Sequence, residues 1–435
     1  MNRFLILLCV VAHVAHSPAE VRLADPFADG MVLQRDRPVP VWGTAAPGDK
    51  VTVRFAGQTV TSVADAEGRW ACRLAPLTLS REGRELAATA DGSTHAVSDV
   101  LVGDVWFVSG QSNCEFPLDS PNPHFSDRNG AAIGSITHLP LVRYCDQSSY
   151  SFSARPKTRA AKPVVWRKFL PENLCGLRSF SAIGVYFAIH VHQASGVPLG
   201  LVGAWWGGTG IDPWTPREGT ASRPDLKDVL DFPVSDAWDG EHPKPVFPHR
   251  RKQDQPGVLF NEMVNPWCPF AIRGVVWYQG CTNAGEPERY RSKMHALYDG
   301  WSMKFENPDL KLYFVQLAPW GYADIAKIQE AQAAFAREQP NAGMVVANDV
   351  GNLTDIHPNE KGTVGLRLAR MALKRDYGFK EIEERSPELR AGRVEGDSFI
   401  LDFDHAKRLY VYNRDFSDVS PFEVAGPDGV FHPAK

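Results

Sequence analysis

The alternation of apolar and polar positions changes rhythm near residue 100. Before that point the segments are short and alternate with a period of two. Val51, Val53 and Phe55 fall on one face, with Thr52 and Arg54 on the other, the mark of a half-buried strand. Turn signals at Pro47-Gly48, Ala56-Gly57 and Glu67-Gly68 recur at short spacing, so residues 20–100 are expected to form a small β-sandwich domain. Past Leu101, apolar runs at 105–109, 199–205, 274–278, 312–317 and 344–347 alternate with helical stretches. That order predicts an α/β domain over 101–385 with a parallel sheet covered on both faces. The helices are expected at 181–194, stopped by Gly196 and Pro198, at 288–304, and at 324–338 with an aspartate cap. A last one follows Pro358 through Leu373 and places His357 at its start. Residues 117–171 and 215–256 lack periodicity and read as long functional loops that wall a pocket. The β pattern returns at 399–403 and 408–412, so 386–435 is a short C-terminal β segment, incomplete as a domain.

A chain of 435 residues exceeds the size at which one core stops growing, which fits this multi-part division. Its 43% hydrophobic and 23% charged residues are those of a folded protein, and a net charge of −4 offers no basic patch for nucleic acid. Arg3, an apolar stretch over 4–14 and Ser17-Pro18-Ala19 have the parts of a secretory signal over 1–19, too short to span a membrane. The mature protein is therefore expected to be secreted or periplasmic. Removal of Cys9 leaves Cys72, Cys114, Cys145, Cys175, Cys268 and Cys281, an even number in a compartment that permits disulfides. Their pairing is not fixed by sequence. No Cys-x-x-Cys occurs and no metal site is expected.

Four short motifs sit at the ends of apolar runs. The first, Gly103 to Asn113, runs from a strand into a glycine turn that presents Ser112. Trp206-Gly-Gly-Thr209, Trp277-Tyr-Gln-Gly-Cys-Thr-Asn283 and Asp355-Ile-His-Pro358 follow. Together they supply a hydroxyl nucleophile, amide donors and a base, the requirements of acyl transfer. The ends of parallel strands are where open α/β sheets bind ligands. The turn lacks the second glycine of Gly-x-Ser-x-Gly, so it is a poor match to the nucleophile elbow of the α/β-hydrolases. Taken singly each motif has a plainer role: Ser112 and Asn283 as turn residues, Gly207-Gly208 as a tight turn, Asp355 as a helix cap.

In these four motifs, and in their order, the chain resembles the sialate O-acetylesterases, a carbohydrate-esterase branch of the SGNH hydrolases. The resemblance implies a flavodoxin-like SGNH core that hydrolyses O-acetyl esters on a carbohydrate through an acetyl-enzyme, with no cofactor. Ser112 is the candidate nucleophile, His357 the candidate base and Asp355 the candidate orienting acid. The oxyanion donors would be the amides of Ser112 and Gly208 and the side chain of Asn283. Gln111, Trp206 and Gln279 would meet substrate, and aromatic faces at Trp205, Trp214, Trp277 and Trp320 suit a sugar ring or a buried core.

Two positions depart from the family pattern. Its acid commonly lies three residues before the histidine, where this chain has Thr354; Asp355 is two before, with Asp349 and a Ser-His dyad as alternatives. Cys281 stands where relatives commonly carry an acid. A cysteine nucleophile at Cys281 or Cys114 is the weaker reading for an exported chain. Acetylated plant or algal polysaccharide is the alternative substrate, and a non-catalytic carbohydrate-binding protein the rival class.

Overall fold

Seven strands build the centre of the computed structural model: β1 (Ser93–Gly110), β2 (Leu139–Asp146), β3 (Arg167–Phe169), β4 (Leu199–Trp205), β5 (Gly274–Tyr278), β6 (Lys311–Val315) and β7 (Ala342–Val345). The structure describes residues 20–133, 138–237, 251–321, 325–351, 353–406 and 423–434. The strand order is β3-β2-β4-β1-β5-β6-β7. Every neighbouring pair is parallel except the edge strand β3, which runs antiparallel to β2.

β1 explains the change of rhythm at residue 100. From Ser93 to Asp99 its burial is mixed, whereas every residue from Val100 to Gly110 is buried. A strand covered on both faces must be apolar throughout. Its first half pairs antiparallel with Ser80–Ala90 and its centre runs parallel to Val32–Gln34. With Lys50–Phe55 and Gln58–Val63 these complete one mixed sheet of eleven strands. Arg22–Leu23, Val39–Thr44 and Arg69–Leu74 form a separate three-stranded sheet. The boundary expected between residues 100 and 101 thus falls inside a continuous strand. In Lys50–Phe55 the period-two reading holds, with Val51, Val53 and Phe55 buried.

Helices cover both faces. Trp106 and Phe107 are adjacent in β1 and so point to opposite sides. Trp106 meets Phe187 of α2 (Ala182–Ser195) edge-on at 5.0 Å, and Phe107 meets Trp301 of α3 (Pro287–Lys304) at 5.3 Å. On the α2 face, α2 packs against α5 (Lys361–Asp376), where a Cβ on Gly365 would lie 2.5 Å from that of Tyr186. On the α3 face, Phe335 of α4 (Ile325–Glu338) packs on His295 of α3 at 4.8 Å.

Three expectations need correction. The stretch 117–171 is not all loop: it carries β2 and β3, and Val142 to Cys145 are fully inside. β7 starts two residues earlier than the apolar run indicated. α5 starts at Lys361, so His357 lies in a turn ahead of the helix, because the Lys361 amide is taken by Asp127 Oδ2 at 2.9 Å and the turn is closed by Asp355. The aspartate cap expected at residue 324 and the strand expected at 408–412 lie outside the described residues. Glu388–Glu395 and Ser398–Asp404 form an exposed C-terminal hairpin.

Candidate active site

Ser112 is the first residue of α1 (Ser112–Glu115), immediately after β1. The chain turns there at Gly110, whose φ of +146° favours glycine and whose Cβ, if present, would lie 2.2 Å from the Tyr278 carbonyl oxygen. The Gln111 amide donates to that same oxygen at 3.1 Å, and the Trp206 amide donates to Gly110 O at 3.2 Å. The ends of β4, β1 and β5 are thereby tied into one edge, and the loops that follow them face each other.

His357 Nε2 lies 2.8 Å from Ser112 Oγ, across a sequence separation of 245 residues. The imidazole edge meets Phe125 at 5.2 Å. Burial and the nearby Lys361 cation push its pKa below the usual histidine value, while Asp355 pulls the other way. The Asp355 carboxylate accepts the His357 backbone N–H at 2.8 Å, an Asx turn, and stands 3.9 Å from Nδ1, beyond hydrogen-bond range. Asp349 holds Arg367 with both oxygens, at 2.7 and 2.6 Å.

The backbone amides of Ser112 and Gly208 have no protein acceptor among the described residues. The Gly207 amide is taken by Glu115 Oε2 at 2.6 Å, and Tyr150 holds the other Glu115 oxygen at 2.7 Å. Gly208 has φ +71°, and its carbonyl accepts from Arg251, itself paired with Asp254 at 2.9 Å. Gly207 is packed so close that a Cβ there would sit 3.4 Å from that of Ser112.

Asn283 is fully buried beside Gly210. Its Oδ1 accepts from Ile211 N at 3.0 Å and Gln279 Nε2 at 2.7 Å, and one Nδ2 proton goes to Glu286. Lys293, also buried, bridges Glu286 and Asp212 at 2.7 Å each. An amide nitrogen carries two protons, so one remains for a ligand. Gln279 is likewise buried, and its carboxamide is committed to Thr209 O, Asn283 and Tyr290. Gln111 Oε1 accepts the Gly280 and Thr282 amides at 3.1 and 3.4 Å. These two glutamines brace the loops.

Trp205, Trp214 and Trp277 belong to the core, whereas Trp206 and Trp320 are partly exposed. Tyr150 meets Trp206 edge-on at 5.6 Å. The aperiodic segments do reach the site, through Phe125, Tyr150 and Arg251. Sequence reasoning missed Glu115, Glu286, Lys293 and Lys361; Glu115, Lys293 and Lys361 find partners in distant segments, whereas Glu286 is held by Asn283 and Lys293. All six described cysteines are free thiols, and burial pushes Cys281 up to about 12 and Cys114 higher still, so neither is poised as a thiolate nucleophile. No group of metal-ligating side chains occurs among the described residues, and no described helix is long and apolar enough to cross a membrane.

Residues 102–374 match the model of the family described as carbohydrate esterase, sialic acid-specific acetylesterase. The chain is 27% identical to the sialate O-acetylesterase of Mus musculus over 95% of its length and 84% of the relative. It is 28% identical to that of Homo sapiens over 91% of its length and 78% of the relative. Among solved structures, a carbohydrate acetylesterase from Xanthomonas citri superposes with a TM-score of 0.79 and 32% identity, covering 95% of this chain and 88% of that one. The chain belongs to the sialic acid-specific acetylesterase family of carbohydrate esterases and is a carboxylic ester hydrolase.

Proposed function

We propose that the protein removes acetyl groups from an O-acetylated sugar by a serine mechanism, with Ser112 as nucleophile. The observation that carries this is the 2.8 Å contact between Ser112 Oγ and His357 Nε2. A serine hydroxyl is a weak nucleophile until a base takes its proton, and a neutral histidine is that base. As Oγ attacks the acetyl carbon, its proton passes to Nε2, and the carbonyl oxygen becomes an oxyanion. The free amides of Ser112 and Gly208 and the second Nδ2 proton of Asn283 stabilise that charge. Collapse of the intermediate breaks the ester bond, and His357 returns the proton to the departing sugar oxygen. A water, deprotonated by His357, then attacks the acetyl carbon and releases acetate and Ser112.

Asp355 acts on the imidazolium through its charge at 3.9 Å. Trp206, beside the Gly207-Gly208 turn and partly exposed, supplies an aromatic face for a sugar ring. The mammalian relatives' name, sialate O-acetylesterase, supports O-acetylated sialic acid as the substrate here, with acetylated plant or algal polysaccharide as the alternative.

Acetate release across a panel of acetylated sugars, with wild type and Ser112→Ala, tests the reading. Ser112→Ala is expected to lose about 10⁴- to 10⁶-fold in turnover. A fluorophosphonate probe should label wild type on Ser112. A folded Ser112→Ala protein with near-normal activity, or a wild type that binds sugar but neither releases acetate nor takes the probe, sinks the proposal.

A further inference from the structure

Lys361 is fully buried, yet it forms no ion pair among the described residues. Its ammonium donates to Asn113 Oδ1 at 2.7 Å and to the Pro358 carbonyl, and it lies over the Phe116 ring, 4.1 Å from its centroid. Asn113 follows the nucleophile directly in sequence. Its other amide atom, Nδ2, donates to the Ile356 carbonyl at 2.9 Å. One end of the Asn113 carboxamide is therefore spent directly on the turn that carries His357 and the other on Lys361, which reaches the same turn at Pro358 O; Ile356 and Pro358 flank that histidine on either side. An isolated buried ammonium is costly, and a fold that keeps one here gains something from its position.

We propose that Lys361 and Asn113 form one clamp that fixes the His357 turn against the Ser112 turn, taking over the orienting work that a hydrogen-bonded carboxylate performs in a complete triad. Both are positioning residues, and the inference rests on the Ser112–His357 reading above. The bond from carboxylate to Nδ1 is missing here, since Asp355 is 3.9 Å away and spends an oxygen on the His357 backbone. What holds His357 is instead its backbone on both sides: Ile356 O by Asn113, Pro358 O by Lys361, and the 357 amide by Asp355. Lys361 also faces the Cys281 thiol, a weak acceptor, so Asn113 is its main side-chain acceptor.

The clamp also places a charge. Burial pushes Lys361 down to about 7, so it is protonated across the acidic range in which His357 titrates, and its cation lowers His357. The groups that face this pair are Asp355 on the turn, Asp127 from the first long insertion, Cys114 on α1 and Cys281 after β5. The rings of Phe116 and Tyr278 complete the enclosure of Lys361. The sign follows: general-base catalysis needs neutral His357, so removing a cation that disfavours imidazolium raises the histidine pKa and moves the acid limb of the rate profile upward.

The test compares wild type, Lys361→Met, Asn113→Ala and the double variant, at matched folded fraction by circular dichroism, on one acetyl ester. Each single change is expected to lower kcat by about 10²-fold with KM little altered, the cost of misplaced reacting groups. Because the two act as one unit, the double variant should be no worse than the poorer single. Lys361→Met should also shift the acid limb of kcat/KM upward by about one pH unit. Wild-type kcat in folded Lys361→Met and Asn113→Ala, fully additive losses, or an unmoved acid limb overturns the clamp. If Lys361→Met fails to fold, Asn113→Ala decides alone: a kcat loss at constant KM supports it and normal kcat overturns it. Failure of the underlying reading is seen separately, as wild type that takes no fluorophosphonate on Ser112.

Discussion

Asp355 and Asp349 compete for the acid role, and their contacts separate them. Asp349 gives both oxygens to Arg367, so Asp349→Asn is expected to weaken that pairing and leave kcat within about two-fold, as for other exposed ion pairs. In the proposed mechanism Asp355 acts through charge alone, at 3.9 Å from a partly exposed histidine. Asp355→Asn should therefore cost about 10- to 10²-fold in kcat, well below the ~10⁴ of a carboxylate that fixes the tautomer by a direct bond. A loss near 10⁴ would show that the Nδ1 bond forms during turnover, and a large defect only at Asp349 would move the acid there. The pH profile carries a second residue-scale expectation. His357 is held below its usual value by burial and Lys361, so kcat/KM should stay high as pH falls below about 6.5 and drop only beneath the lowered histidine value. A limb centred above the ordinary histidine range contradicts that.

At the scale of elements, the site is three loops held at the ends of β4, β1 and β5, and their bracing is as specific as their catalytic atoms. Asn283 is held on both sides of its amide, by Ile211 and Gln279 on oxygen and by Glu286 on nitrogen. Asn283→Ala is expected to lower kcat by about 10²- to 10³-fold with little change in KM; a rise in KM alone would make Asn283 a ground-state contact. The strand ends were legible in sequence because β4 and β5 are uninterrupted apolar runs closed by glycine motifs. The α2 stop at Gly196 was legible for the same reason, and Gly196 does adopt φ +67°. β2 was not, because its first residues, Leu139 to Leu141, are half buried or, at Pro140, exposed, and its partner β3 is three residues long. The start of α5 was misread because Pro358 is a good first-turn residue, whereas Asp127, more than two hundred residues away, sets the start at Lys361. Ser112, His357, Gly208 and Asn283 announced themselves by motif. Lys361 and Lys293 did not, since charged residues on a helix read as solvent-facing until their long-range acceptors are known, and Glu286, just ahead of its helix, reads as a solvated first-turn acid.

Across the whole molecule, the N-terminal strands and the central sheet are joined through β1 and through a buried carboxylate. Asp104 has no exposed surface and receives Gln34 Nε2 at 2.7 Å, Arg35 Nη2 at 3.0 Å and, as an ion pair, Arg273 Nε at 2.7 Å. Gln34 and Arg35 belong to the N-terminal region, and Arg273 precedes β5, so one side chain ties both parts. Asp104→Ala leaves Arg273 without its counterion and Arg35 with only the exposed Asp36, and should cost about 3–5 kcal/mol, read as a lower urea midpoint. A loss below about 1 kcal/mol would mean that the junction rests on β1 and on its other cross-contacts, such as Arg143 on Gly30 O and Arg37 on Ile272 O.

The proposed acetyl-enzyme places the acetyl group on Ser112 during turnover. It is tested most directly by mixing enzyme with an activated acetyl ester, quenching in acid within the first turnover, and mapping peptides by mass. One acetyl group is expected on the Ser112 peptide in wild type, more of it in variants that slow deacylation, and none in Ser112→Ala. An acetyl group found on another residue, or a burst of product that persists in Ser112→Ala, would contradict it.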